Sequence, residues 1–350
     1  LRRRSYQPQA RRLHEVDVDK LRALTRPTDA PALSVTVDGV RTDFSPRAIT
    51  AVVGPNGSGK TTLMGRIAGR LSGGEVSPEG ADVVLLTQRP GLPPRSTAVE
   101  AVAMVTRDKV RAQELLAAAG LHELADVPVP ALSGGQAAHV ALVRALAARP
   151  AVLIVDEPLA AVDVKSAERW RRFLHAARAD RTTLLVTHDA LDIAHLAQDI
   201  LVMESGQVRA HGATARLLEA PPTGFVAALA GLNRLEGTVT EIGASAVEVA
   251  CGDIAVLAAT EHAPLAPGQK VAVTFDPHAA AIGAAQEPCN QWAARVLAVE
   301  ATSLAGAQLR VDLGGQEASV PIDREFALDV GVGNIVSLTV SKANVFVHPN

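Results

Sequence analysis

The stretch "GPNGSGKTT", Gly54 to Thr62, has the residue types and spacing that bind phosphate, G-x-x-x-x-G-K-[ST]. It follows a predicted strand, "ITAVV", and precedes a helix predicted to begin near Lys60. Glycines let the backbone turn tightly around phosphate oxygens, and a helix N-terminus adds partial positive charge. The pattern predicts that Lys60 reaches the β- and γ-phosphates of a nucleotide and that Thr61 binds Mg²⁺. The alternative is a glycine-rich turn with a chance lysine.

We call this stretch the phosphate loop. Its predicted nucleotide-binding residues are Gly54, Pro55, Asn56, Gly57, Ser58, Gly59, Lys60, Thr61 and Thr62.

A second stretch, "AVLIVDE", is an apolar strand that ends in two carboxylates, Asp156 and Glu157. Asp156 is predicted to hold Mg²⁺, directly or through water. Glu157, one residue on, is predicted to polarise an attacking water molecule. The alternative is that both carboxylates only cap the next helix.

A third stretch, "LSGGQ", offers a serine hydroxyl and glycine amides just ahead of a helix, which is again an anion-binding arrangement. We call it the signature loop, and it comprises Leu132, Ser133, Gly134, Gly135 and Gln136. An ordinary helix start is the alternative interpretation of these five residues.

The elements that position these residues alternate between short β-branched runs and helical segments from Ile49 to Glu204. Such apolar runs favour a sheet that helices cover on both faces, so the pattern predicts an α/β nucleotide-binding core. After Asn233 the pattern changes to short alternating runs separated by Gly, Pro and Asp, which predicts an all-β region. "NRLEGTVTEI" from Asn233 is similar to "NQWAARVLAVE" from Asn290, which predicts two copies of one module.

The composition limits the function classes. With 350 residues, 48% hydrophobic residues and a net charge of -3, the chain has room for two or three domains and no basic field for nucleic acid. No apolar run reaches the ~18 residues of a membrane span. Cys251 and Cys289 lack metal-ligand spacing and are predicted to be reduced thiols.

The order of the motifs resembles that of the ATPase subunit of ABC transporters. The motifs are the phosphate loop, Gln88 in "LLTQRP", the signature loop, "VDEP", "LAAVD" and His188 in "VTHD". The resemblance implies ATP and Mg²⁺ as cofactors. It also implies a homodimer in which two cassettes pair head to tail, so that the signature loop of one closes over the ATP of the other.

The resemblance also implies roles for single residues. Gln88 contacts Mg²⁺ or the water and senses a permease, Glu157 is the general base, and His188 steadies the γ-phosphate and water. Asp163 lines the dimer contact, and Ser133 with its two glycines meets the γ-phosphate across the dimer. The catalytic set is thus Gln88, Glu157 and His188, and the magnesium set is Thr61, Gln88 and Asp156.

Two features depart from the family pattern. The family places an aromatic residue upstream of the phosphate loop to stack on adenine, but this chain has only Phe44, close to the loop. The interval from Lys60 to Gln88 is also short, which predicts a reduced β-subdomain.

The repeated β modules resemble the accessory domains of ABC importer ATPases, in particular the paired molybdate-binding-type modules of molybdate importers. Ser341 and Lys342 match an oxyanion-binding position in the second copy, whereas the first copy has Asp276, Pro277 and His278. A carboxylate there repels anions, so the alternative is that the modules only support a dimer.

We therefore predict an α/β ABC cassette with a helical subdomain, followed by a small, duplicated, OB-like all-β domain. The predicted ranges are an extension over 1–32, the ATPase domain over 33–220, a linker helix over 221–232, and β modules over 233–285 and 286–350. The basic stretch "LRRRSYQPQARR" is typical of the flank of a membrane span and predicts a permease fused upstream. The alternative is a tail with no such role.

The predicted function is to power import of an oxyanion, molybdate in the first place, through a membrane permease at the cytoplasmic face. An extracytoplasmic substrate-binding protein is the further partner, and nucleic acid is not predicted as one. Sulfate, ferric iron, polyamine or sugar import are alternatives within this class. A soluble oxyanion sensor or storage protein, and a non-transport ABC ATPase of translation or DNA repair, are alternatives from other classes.

Overall fold

A computed structural model describes residues 15–28, 32–37, 39–89, 91–157, 164–259, 265–283, 289–301 and 306–349. The basic segment at the start of the chain and the predicted dimer contact at Asp163 lie outside these ranges. The chain divides into two compact units, Leu1–Thr214 and Ala215–Asn350. The predicted fold class is confirmed, because an α/β unit precedes an all-β one. No helix within these ranges is long and apolar enough to cross a membrane.

The first unit contains α1 to α7 and β1 to β9, and their order alternates as the sequence predicts. The elements are α1 Val18–Thr25, β1 Leu33–Val37, β2 Val40–Phe44, β3 Ile49–Val53, α2 Lys60–Ile67, β4 Gly74–Ser77, β5 Val83–Leu86, α3 Ala98–Thr106, α4 Lys109–Ala118, α5 Gly134–Ala147, β6 Val152–Asp156, α6 Val164–Ala177, β7 Thr182–Val186, α7 Ala190–Leu196, β8 Asp199–Glu204 and β9 Gln207–Ala213.

The larger sheet of this unit has the strand order β5-β6-β7-β3-β8-β9. Its strands run parallel except β9, which pairs antiparallel with β8. Every residue of β3 and β7 is buried, as expected in a sheet covered on both faces. Because the carboxyl ends of parallel strands meet at one edge, the phosphate loop follows β3 there, Gln88 follows β5, Glu157 follows β6 and His188 follows β7. We call this the carboxyl edge.

A smaller antiparallel sheet, with strand order β2-β1-β4, forms the β-subdomain of this unit. β4 has four residues, and β5 begins soon after it. The short interval between Lys60 and Gln88 therefore contains α2, β4 and β5 and little else.

The predicted extension over 1–32 includes a packed helix, α1, which the sequence analysis did not foresee. Leu21 and Thr25, one turn apart, are fully buried, and Arg22 donates hydrogen bonds to Asp180. Burial alone raises the pKa of Asp180, but the hydrogen bond and charge of Arg22 bring it below its ordinary value. Two buried positions in eight residues are too few to define a helical period in the sequence.

The second unit begins with short helices and continues as strands. The elements are α8 Thr214–Glu219, which starts at the unit boundary, α9 Gly224–Leu229, β10 Asn233–Ile242, β11 Ala246–Cys251, β12 Ile254–Ala259, β13 Lys270–Phe275, β14 Ala280–Ile282, β15 Asn290–Ala301, β16 Gly306–Leu313, β17 Gln316–Asp323, α10 Arg324–Asp329, β18 Ile335–Val340 and β19 Val345–Pro349.

The two repeats of this unit exchange their last strands. The sheets have the orders β12-β11-β10-β13-β19 and β14-β18-β15-β16-β17. β14, from the first repeat, pairs with β18 of the second, and β19, from the second repeat, pairs with β13 of the first. Strands of both sheets share one apolar core. A boundary between 233–285 and 286–350 thus divides the sequence repeat but not the folded sheets.

Matching contacts at matching positions accompany this exchange. Asn233, at the start of β10, exchanges two hydrogen bonds with the backbone of Ser319 on β17, at 2.9 and 2.7 Å. Asn290, at the start of β15, exchanges two with the backbone of Leu257 on β12, at 2.8 and 2.6 Å. Each repeat therefore begins with an asparagine that binds the backbone of the other repeat. This shared contact accounts for the asparagine at the start of both copies.

Candidate functional site

The phosphate loop closes around the amino group of Lys60 at the start of α2. Lys60 Nζ donates to the carbonyl oxygens of Gly54 (2.6 Å) and Pro55 (2.9 Å) and lies 3.5 Å from Ser58 Oγ. Position 54 requires glycine, because a Cβ there would lie 2.0 Å from the carbonyl oxygen of Met203. The loop is therefore bent as tightly as the sequence predicts, with its lysine pointing into the bend.

Lys60 and the two carboxylates at the end of β6 influence one another. Burial lowers the pKa of Lys60, and the charges of Asp156 and Glu157 act in the opposite direction. Burial raises the pKa of Asp156, the charge of Glu157 raises it further, and Lys60 lowers it. The fold thus places a cation and two carboxylates from distant parts of the sequence in one electrostatic environment at the carboxyl edge.

Glu157 is hydrogen-bonded on both carboxylate oxygens. Gln88 Nε2 donates to its Oε2 at 3.0 Å, and His188 Nδ1 lies 3.0 Å from its Oε1. Because a carboxylate only accepts, the second contact is a hydrogen bond when Nδ1 carries the proton. The three residues predicted to be catalytic therefore form one hydrogen-bonded group.

The backbone of Glu157 has a φ of 49°, in the left-handed region that non-glycine residues rarely adopt. Its N–H donates to the carbonyl oxygen of Val186 at the end of β7, at 2.9 Å. Strained residues of this kind concentrate at functional sites, where the surrounding structure holds them. The residue with this backbone conformation is the one whose side chain contacts both Gln88 and His188.

Thr61, Gln88 and Asp156 offer a hydroxyl, an amide oxygen and a carboxylate, which are the hard oxygen donors that Mg²⁺ binds. Gln88 donates to Glu157 through its nitrogen, so its Oε1 is the atom suited to a cation. In the described ranges no group of three His, Cys, Asp or Glu side chains is placed to hold a metal ion. The donor set therefore fits Mg²⁺ that completes its coordination with phosphate oxygens and water.

A cavity of about 640 Å³ opens beside the phosphate loop, in the size range of small-molecule sites. Val35, Val37 and Val40, from β1 and β2, line one side of it. Phe44 also lines it but is 2% exposed, with its ring against that of His211 at 5.6 Å between centroids. Val35 is equally buried, so Val37 and Val40 are the valines with surface open to this cavity. The sequence analysis did not find them because it searched for an aromatic residue.

The signature loop forms a capping box at the start of α5. Ser133 Oγ accepts from the N–H of Gln136 at 3.2 Å, and Gln136 Oε1 accepts from the N–H of Ser133 at 3.0 Å. In the part of the chain that the structure describes, no hydrogen bond joins this loop to Lys60 or Glu157. One chain therefore does not bring its two glycine-rich loops together through such contacts.

Ser341 and Lys342 lie between β18 and β19, where a short 3-10 helix begins. Ser341 Oγ accepts from the N–H of Ala343 at 3.4 Å. In the first repeat Asp276 occupies the matching position and accepts from the N–H of His278 at 2.8 Å. Both residues therefore act as helix caps, and only the second repeat combines a neutral cap with a neighbouring lysine.

Comparison with known proteins gives one family match and related chains of several import systems. A family model described as "ABC transporter" matches residues 37–160. The molybdenum import ATP-binding protein ModC of Mycobacterium tuberculosis is 37% identical over 223 residues, which cover 55% of this chain. That alignment spans 60% of the length of the mycobacterial protein.

A second relative aligns along nearly its whole length. The sulfate/thiosulfate import ATP-binding protein CysA 1 of Chromobacterium violaceum is 33% identical over 345 residues, or 89% of this chain and 93% of that protein. Among solved structures, a chain from a metal-chelate type ABC transporter in an inward-facing conformation matches with a TM-score of 0.50. It is 22% identical and covers 61% of this chain and 93% of its own length, so it supports the fold alone.

Proposed function

Because the chain belongs to the ATP-binding proteins of ABC transporters, a family of ATPases, we propose that it hydrolyses ATP to drive an importer. The observation that carries this proposal is the hydrogen-bonded group of Gln88, Glu157 and His188 beside the phosphate loop. A carboxylate held on both oxygens and placed next to a phosphate-binding lysine is suited to orient water towards the γ-phosphate.

In the proposed reaction the phosphate loop and Lys60 hold the β- and γ-phosphates. Thr61, Gln88 and Asp156 would hold Mg²⁺, which would neutralise phosphate charge. Glu157 orients the attacking water and accepts its proton. Gln88 and His188 hold the Glu157 carboxylate in place through its two oxygens.

We propose further that two copies of the chain complete two ATP sites, each with the phosphate loop of one copy and the signature loop of the other. The exposed Ser133 and Gly134 support this, because the first N–H groups of a helix have no partner within the helix and attract anions. We also propose that Asp163 lies at the contact between the two copies.

We propose that the permease binds in the cleft next to Gln88, at the cytoplasmic face of the membrane. It has a volume of about 420 Å³ and is lined by Thr87, Gly91, Val105, Arg70 and Arg144, together with apolar residues of β5 and α5. The two arginines suit a permease segment that carries a carboxylate. Gln88 follows Thr87 directly, so a partner in this cleft sits next to the residue that holds Glu157.

The substitution Glu157→Gln tests the proposed reaction. It removes the proton acceptor but keeps the size and hydrogen-bonding length of the side chain, so ATP binding stays and hydrolysis falls by roughly 10²-fold or more. Turnover by purified protein and binding of a fluorescent ATP analogue measure the two effects. Glu114→Gln, on an exposed part of α4, is the matched control. Wild-type turnover in Glu157→Gln would contradict the proposed base.

For the transported substrate we propose a tetrahedral oxyanion, molybdate in the first place. The two relatives are named for molybdenum import and for sulfate or thiosulfate import, and molybdenum in neutral water is the oxyanion molybdate. Uptake of labelled molybdate and sulfate in cells that carry the Glu157→Gln variant tests this. Loss of molybdate uptake with sulfate uptake intact supports molybdate as the substrate, and the reverse supports sulfate. If the variant keeps the uptake of both anions, the proposal of an oxyanion substrate is contradicted.

Ser341 and Lys342 form a second proposed site, for the same oxyanion. A cap hydroxyl beside a lysine supports it, and Asp276 at the matching position of the first repeat restricts it to one copy. Calorimetry of the whole protein with molybdate is expected to give heat that Lys342→Ala abolishes and Lys270→Ala leaves. If the wild type and both variants give equal heats, or if the wild type gives none, Ser341 and Lys342 do not bind the oxyanion. The β modules would then be left with the alternative role of supporting a dimer.

A further inference from the structure

His188 is flanked by two members of a group of four charged and polar side chains, of which two lie in the motif "VTHD" and two lie outside every motif. Thr187 and Asp189 flank His188 directly, and the other two members are Asp192 on α7 and Arg171 on α6. We propose that Arg171 is a positioning residue for His188 in ATP hydrolysis. This inference rests on the proposed function and adds a residue that no motif contains.

The four side chains form a closed ring of hydrogen bonds. Arg171 donates through Nε to Asp192 and through Nη2 to Asp189 Oδ2, the latter at 3.2 Å. Thr187 Oγ1 donates to the other oxygen of Asp192 at 3.3 Å and accepts from the N–H of Asp189 at 3.1 Å. The ring therefore holds the backbone on both sides of His188.

The burial of the ring contrasts with the exposure of the histidine that it flanks. Asp192 is 3% exposed, and the side chain of Arg171 is 15% exposed. The side chain of His188 is 73% exposed, so packing does not hold it in place. Its alignment with Glu157 therefore depends on its backbone, which the ring fixes.

Arg171 is the member whose loss opens the ring at two points. Without it, Asp192 is left as a buried carboxylate without its cation, and Asp189 loses its contact with α6. The phosphate loop lies on a different strand and keeps its own hydrogen bonds. Loss of Arg171 is therefore expected to slow hydrolysis without weakening ATP binding.

The first experiment compares Arg171→Ala, Arg171→Lys and Arg172→Ala in the full chain. Arg172 is the exposed neighbour on the same helix and serves as the control. We expect kcat to fall roughly 10- to 100-fold in Arg171→Ala, the range for misplaced catalytic groups, with KM for ATP unchanged. Arg171→Lys should fall less, because it keeps the charge but loses the two-pronged contact. A rise in KM with kcat unchanged would overturn the proposal.

The second experiment repeats the substitution in a His188→Ala background. If Arg171 acts through His188, Arg171→Ala causes no further loss of kcat there. An equal loss in both backgrounds would show a merely structural role and overturn the proposal. Thr187→Val opens the same ring without removing a charge. If Arg171→Ala does not fold, Thr187→Val replaces it in the comparison with and without His188→Ala.

A third measurement does not require turnover. Hydrogen exchange of the segment 187–193, in protein without nucleotide, is expected to speed up in Arg171→Ala and to stay unchanged in Arg172→Ala. If segment 187–193 exchanges equally fast in both variants, the ring does not hold the backbone around His188 and the proposal fails. An inactive wild type with the expected exchange pattern would instead contradict the proposed ATPase function, so the two failures are distinguishable.

Discussion

The phosphate loop and the signature loop both place glycines and a serine at the start of a helix, yet their surroundings differ. The phosphate loop has Lys60 within it and the carboxylates Asp156 and Glu157 close enough to influence its charge. The signature loop satisfies its own side chains through the pair of Ser133 and Gln136. A helix N-terminus alone stabilises an anion by only about 0.3–1 kcal/mol. The phosphate loop therefore contains its own cation, whereas the signature loop has only its helix N-terminus to attract an anion.

The capping role of Ser133 does not exclude a phosphate contact. A serine hydroxyl has one proton to donate and two lone pairs to accept with. In this structure Ser133 Oγ accepts from the N–H of Gln136, and its proton is suited to a phosphate oxygen. The signature loop can therefore keep its helix capped while it closes over the nucleotide of a second copy.

The largest predicted effect comes from mixing two inactive variants. Lys60→Ala removes the phosphate-binding cation and Ser133→Arg blocks the signature loop, so each alone is expected to lose hydrolysis by roughly 10²-fold or more. In a mixed dimer one of the two shared sites has both loops intact, so an equal mixture should regain at most about a quarter of wild-type turnover. Turnover of the separate and mixed proteins measures this.

The control for that experiment is the double variant Lys60→Ala with Ser133→Arg, mixed with either single variant. No such mixture contains an intact composite site, so none should regain activity. Full wild-type activity of Ser133→Arg alone would show that the phosphate loop works without a partner and that the two loops are independent.

A smaller effect is expected from restoring an aromatic residue beside the phosphate loop. Val40 is 57% exposed and lines the cavity, so Val40→Tyr offers a ring to the base. Stacking of a base on an aromatic side chain contributes about 1–3 kcal/mol, so the Kd for ATP should fall about fivefold or more. Met104→Tyr, on an exposed part of α3, is the control for surface tyrosines. Equal ATP affinities in both variants would place the base elsewhere.

The smallest predicted effect separates the two roles of Ser133. Ser133→Ala removes the helix cap and should lower the free energy of unfolding by about 1 kcal/mol, whereas Ser133→Gly should cost only a few tenths. Denaturant unfolding measures this difference. Both variants remove the hydroxyl, so both should lower hydrolysis equally if it meets the γ-phosphate. If hydrolysis instead falls more in Ser133→Ala than in Ser133→Gly, as stability does, the role of Ser133 is only to cap the helix.

Much of the first unit was predictable because local patterns determine it. The strands β3, β6 and β7 are continuous apolar runs, and the motifs follow them in the sequence. Parallel pairing then brings Gln88, Glu157 and His188 to one edge. The helix α1 has four apolar residues among its eight, but only Leu21 of these is buried, and Arg22 pairs with Asp180, a contact that no local pattern contains.

The sequence alone therefore determined the phosphate loop, the carboxylates at the end of β6 and the repeat of the β modules, since each depends on neighbouring residues and a short period. Only the tertiary structure decided that the modules exchange β14 and β19, that Val37 and Val40 line the cavity with more exposed surface than Phe44, and that Arg171 reaches the flanks of His188. The physical reason is that these features join side chains or strands from distant parts of the chain. Their partners are selected by packing and charge in the folded state, which spacing along the sequence does not encode.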